Sequence, residues 1–141
     1  MKRLFPFVLV AAAILGWNHF YSANGDSANF VDSNHVVSVD PDWRSGQQVQ
    51  AGGEVIRVLS DDNDGSRHQR FIVRLGSGRT LLVAHNIDVA PRVPSIRAGD
   101  TVSFSGEFEW NDKGGVIHWT HRDPQNRHLA GWIEYKGKRY Q

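Results

Sequence analysis

Beyond residue 46 the chain runs in short stretches where apolar and polar residues alternate, the period of two that marks strands buried on one face. Residues 49–59 are the first, with β-branched Val55 and Ile56, and Gly52-Gly53 marks a bend or bulge within it. Residues 67–76 and 79–88 follow as a hairpin closed by Ser77-Gly78. Residues 101–110 and 115–122 form a second antiparallel pair around Asp112-Lys113. Residues 132–135 and 138–140 make a last hairpin around Lys136-Gly137. The connection over residues 89–99 carries Pro91 and Pro94 and is too short and broken for a substantial helix.

This pattern predicts an all-β fold. Gly53-Glu54-Val55 in the first strand, a tight second hairpin and Gly99-Asp100 before the fourth strand point to a small OB-like barrel of five to six strands. The helix usual between strands three and four is missing.

The turns set a register. Pairing Gly76 with Arg79 puts His85 opposite Arg70, Ile87 opposite His68 and Val83 opposite Ile72. Phe71, Val73 and Leu75 then share the core face with Ala84, Leu82 and Thr80, and His68, Arg70, Arg74 and His85 share the outer face. In the second pair, Asn111 opposite Gly114 sets Phe108 against Ile117, Gly106 against Trp119 and Phe104 against His121 on the buried face. His118 then meets Glu107 on the outside, and Thr120 meets Ser105.

Ahead of this domain, Lys2 and Arg3 precede 14 uncharged residues, 4–17. That run is short for a free-standing span, which needs about 20 residues, and suits the core of a signal peptide. Residues 1–23 are expected to be a signal peptide or, because Tyr21 sits where cleavage after Ala23 wants a small residue, an uncleaved inner-membrane anchor. Residues 24–46, rich in Ser, Asn, Asp and Gly, read as a flexible tether, with a helical turn beginning at Asp40-Pro41. Residues 47–141 form the domain. The expected location is periplasmic or secreted, with membrane contact only through the N-terminal segment and a monomeric domain.

Composition narrows the chemistry. No cysteine is present, so disulfides, thiolate metal sites and cysteine catalysis are excluded. With 40% apolar residues, the 5 Trp and 7 Phe are expected to fill much of a modest core. The formal charge of +1 conceals an asymmetry: residues 24–64 hold 8 acids and 2 bases, whereas residues 65–99 hold 6 Arg and the single Asp88. An arginine-rich hairpin attracts anions locally. Its expected ligand-binding residues are His68, Arg70, Arg74 and His85, and the expected ligand is a nucleic acid or an anionic glycan. The acidic loop at residues 60–66 has Phe71 where a calcium-binding EF-hand needs its bidentate glutamate, which argues against that motif.

Seven histidines carry the rest of the chemical signal. His118 with Glu107 has the makings of a general acid–base pair, though such cross-strand pairs are more often structural. His118 and His121 point to opposite faces of a strand, so a metal common to both needs the strand to end or bulge between them. His121, Asp123 and His128 are the better metal set: the Asp123-Pro124 turn brings them to one rim, and zinc accepts two imidazoles and a carboxylate. On that reading the protein is a metal-dependent hydrolase of the nuclease or phosphodiesterase type. The competing structural reading makes His121 a satisfied core-edge histidine and Asp123 a turn cap.

The stretches Arg67-His68-Gln69-Arg70-Phe71, Ala84-His85-Asn86-Ile87-Asp88 and Gly115-Val116-Ile117-His118-Trp119-Thr120-His121-Arg122-Asp123-Pro124, with Asp61-Asp62 and Gly99-Asp100, carry a specific likeness. Over residues 47–140 the chain resembles a family of small exported bacterial proteins catalogued only as a domain of unknown function. That resemblance implies no activity, cofactor or catalytic residue.

Overall fold

The computed structural model describes residues 42–141. The N-terminal segment, most of the tether and the Asp40-Pro41 turn lie outside the described residues.

Seven strands form one sheet: β1 (Gln47–Asp62), β2 (His68–Leu75), β3 (Thr80–Asn86), β4 (Thr101–Glu109), β5 (Val116–His118), β6 (Trp132–Tyr135) and β7 (Lys138–Tyr140). Their order is β1-β2-β3-β5-β4-β6-β7, and a further β1–β4 pairing closes the first five into a ring. The expected all-β class is what the chain adopts. Among the described residues there is no helix.

Closure depends on β1, which is long enough to serve two neighbours. Gln47 to Glu54 pair with β4, and Gly53 to Asp62 pair with β2, so Gly53 and Glu54 belong to both ladders. A side chain on Gly53 would run into the Arg74 carbonyl, which is why the tight handover falls on glycine. The bulge expected near Gly52-Gly53 comes slightly later, as a register shift between Val55 and Arg57.

The second hairpin departs from its expected register by one residue. Gly78 N donates to Leu75 O (2.8 Å) and Leu75 N to Arg79 O (2.8 Å), so the loop has three residues, with Gly78 at φ +87°. A three-residue loop ending in a left-handed glycine shifts pairing relative to a two-residue turn. Arg70 therefore faces Ala84 and Gln69 faces His85. The core face of β2 is as expected, but that of β3 is reversed: Leu81, Val83 and His85 point inward.

The second pair keeps its expected register, with Phe108 opposite Ile117 and Glu107 opposite His118. It ends sooner than expected, after His118, because Trp119 adopts φ +53°. That turn reverses the alternation. Thr120 enters the interior with no exposure, and Trp119 is left 38% exposed instead of buried against Gly106.

Phe71, Phe104, Phe108, Leu81, Ile117 and Ile133 fill the ring. Aromatic filling is done by phenylalanine; of the tryptophans, Trp43 joins the core while Trp110 stands exposed. The β3–β4 connection replaces a helix with Val93 and Ile96, both buried. Gln69 anchors it by exchanging two hydrogen bonds with the backbone of Val93 (2.8 and 2.9 Å).

Candidate functional site

Three arginines in and after the β2–β3 hairpin meet carboxylates. Arg74 pairs with Glu54 (3.1 Å), Arg67 with Asp88 (2.7 Å) and Arg92 with Asp61. Arg70 leans towards β1, its Nε donating to Ser60 O (3.0 Å), and His68 Nδ1 meets Ser66 O (2.8 Å). These are largely exposed contacts, individually weak. Acids missing from the hairpin's own sequence come from neighbouring strands and loops.

His85 does not belong to this outer face. It is fully buried, with Nε2 2.9 Å from Pro91 O and Nδ1 2.7 Å from Thr120 Oγ1. A carbonyl only accepts, so Nε2 carries the hydrogen and the Thr120 hydroxyl donates to Nδ1. Burial outweighs these bonds and pushes the imidazole down to about 4. His85 is a neutral core histidine that ties β3 to the segment after β5.

The expected metal set is also arranged differently. Asp123 accepts from Gln125 N (2.9 Å), Arg127 N (2.8 Å) and Arg127 Nε (3.0 Å), so its carboxylate organises the following turn. These donors hold it well below the usual carboxylate range. His128 Nε2 lies 4.0 Å from Asp123 Oδ2, too far for a hydrogen bond. His121 and His128 meet edge to face, ring centres 4.9 Å apart, and Trp119 stacks on His128 at 4.6 Å.

The concentration of uncompensated chemistry lies one strand away. Glu107 and Glu109, two apart on β4, project from its outer side, and His118 faces Glu107 across the ladder. One ligand atom from each of the three lies within 4.8 Å of the other two; among the described residues no other group of three does so. Glu107 Oε1 and His118 Nε2 are 3.8 Å apart, so they do not hydrogen-bond. His118 Nε2 is buried with no hydrogen-bond partner among the described residues. An orphaned buried nitrogen costs about 1–3 kcal/mol.

Electrostatics point the same way. Burial, then repulsion from Glu109, raises Glu107 above its ordinary value, against a smaller attraction from His128. Burial lowers His118, keeping it neutral with a lone pair to offer. A cation between these groups would relieve the carboxylate repulsion and satisfy Nε2 together.

Sequence reasoning brought Glu107 and His118 together correctly but passed over Glu109. The signal for it was present: in the same register, a residue two before or after Glu107 shares its face.

With this geometry in hand, the family can be stated. A family model described as "Protein of unknown function (DUF3465)" matches residues 19–141. The chain belongs to this family. No curated protein and no solved structure matches the chain. The functional argument therefore rests on the site itself.

Proposed function

We propose that this protein is an exported, OB-like binding module that captures an anionic ligand through a divalent metal ion held by Glu107, Glu109 and His118. The observation that carries the reading is the convergence of two carboxylates and a buried, unpartnered imidazole nitrogen on one outer face. Two oxygen ligands and one imidazole suit zinc or manganese and leave coordination positions open. An anion fills such a position directly. On this reading the ligand is a nucleic acid or an anionic glycan, and the metal adds to what the hairpin arginines supply. Export follows from the basic start and short apolar run of residues 1–17.

Tag-free protein loaded with manganese is titrated with single-stranded DNA and with an anionic polysaccharide, with and without chelator. Binding that chelator abolishes supports the reading, and binding indifferent to chelator refutes it.

The open coordination favours one second reading, a metal-dependent hydrolase. There Glu107, Glu109 and His118 would hold the ion, and the ion would supply an acidified water at its open position. Metal-dependent turnover of a phosphodiester would select this reading over simple binding.

A further inference from the structure

We infer that His121 and His128 form a second metal site, made of imidazoles and selective for borderline transition metals such as Cu2+, Ni2+ or Zn2+. The site stands on observations separate from those at Glu107, Glu109 and His118.

Both rings are held in one tautomer. His121 Nδ1 lies 2.8 Å from Arg122 O, and His128 Nδ1 lies 2.7 Å from Leu129 O. Carbonyls only accept, so each Nδ1 carries the hydrogen and each Nε2 is left with its lone pair. Metal-binding histidines are prepared in this way, the second nitrogen fixing tautomer and ring orientation. Neither Nε2 makes a hydrogen bond among the described residues, and neither is shut away from solvent as His118 Nε2 is, so both are open to an incoming ion.

The spacing of the two rings allows a shared ion. With metal–Nε2 bonds of about 2.0–2.1 Å, an ion sits about 3.2 Å from each ring centre, giving centres about 4.5 Å apart at a right angle and about 5.2 Å apart at the tetrahedral angle. The observed 4.9 Å falls between, with the rings at 87°. Trp119 stacks on a face of His128, so coordination in the plane of that ring does not compete with the stack.

Asp123 completes the arrangement without being a ligand. Its carboxylate is occupied by the Arg127 side chain and two backbone N–H groups, and it places negative charge 4.0 Å from His128 Nε2. Two imidazoles with no free carboxylate prefer borderline ions, whereas the carboxylate-rich group at Glu107 also accepts harder manganese.

The test is electron paramagnetic resonance of the full chain, without a histidine tag, titrated with CuCl2. A tight Cu2+ showing hyperfine structure from two imidazole nitrogens is expected, separate from any copper held with one imidazole at Glu107, Glu109 and His118. His121→Gln or His128→Gln should weaken it at least tenfold and leave a one-nitrogen pattern. Glu107→Gln with Glu109→Gln should abolish manganese binding and keep the two-nitrogen copper signal, which separates failure of one site from failure of the other. No tight Cu2+, or a two-nitrogen signal that survives the double His121→Gln, His128→Gln change, overturns the inference. Should those variants not fold, 15N spectra of the wild-type imidazoles with ZnCl2 decide. Nε2 of both residues must shift together, and unmoved resonances overturn the site.

Discussion

His85 gives the account its sharpest stability test. The ring is fully buried, donates to Pro91 O and accepts from Thr120, and burial has driven it from 6.5 to about 4. Because the folded value lies below the unfolded one, the unfolded chain takes up the proton first as the pH drops. The contribution of this neutral histidine is complete above about pH 6.5 and is lost as the pH falls towards 4. At about 1.36 kcal/mol per unit the ceiling is about 3 kcal/mol, of which about 2 kcal/mol is lost by pH 5. His85→Gln keeps one donor and one acceptor but cannot titrate. Imperfect geometry should cost it about 1–3 kcal/mol at pH 7.5. The decisive quantity is the difference between wild type and variant in urea melts at pH 7.5 and pH 5. Other histidines titrate in both proteins and cancel. Wild type should lose about 2 kcal/mol more than the variant over this interval, and equal losses would refute the buried, neutral assignment.

Three further outcomes follow from packing. Trp119→Ala should cost about 1 kcal/mol, the value of its stacking on His128, whereas buried Ile117→Ala should cost about 2–5 kcal/mol; urea melts compare them. Gly131→Ala pushes a methyl group towards the Trp119 and Ser105 carbonyls and should destabilise by about 1–3 kcal/mol, with a changed near-UV circular dichroism signal from Trp119. Arg67→Ala and Arg74→Ala, which break exposed ion pairs, should each shift stability by under about 1 kcal/mol in the same melts.

The all-β class was legible because alternation and glycine turns are local signals, and Phe71, Val73, Phe104, Phe108 and Ile117 all fell on the expected inner face. The register around Glu107 and His118 was legible for the same reason, since the turn around Asp112-Lys113 fixes it. What failed depended on backbone geometry that composition does not encode. Gly76-Ser77-Gly78 made a three-residue loop instead of a two-residue turn, and one residue of slip carried His85 from the surface to the core. Trp119 took a left-handed conformation that few tryptophans adopt, ending β5 early and exchanging the places of Trp119 and Thr120. The charge of the arginine-rich stretch was legible only in part, because Glu54 and Asp61, which pair with Arg74 and Arg92, lie on another strand. Non-local pairing of this kind is invisible to a charge count along the chain.

The central claim concerns the metal at Glu107, Glu109 and His118. Its most direct test is equilibrium dialysis of tag-free full-length protein against MnCl2. The account predicts one Mn2+ per chain, lost in Glu107→Gln with Glu109→Gln, weakened at least tenfold in His118→Gln, and unchanged in the double His121→Gln, His128→Gln variant. Wild-type protein that binds no manganese, or binding that survives the loss of both glutamates, would contradict it.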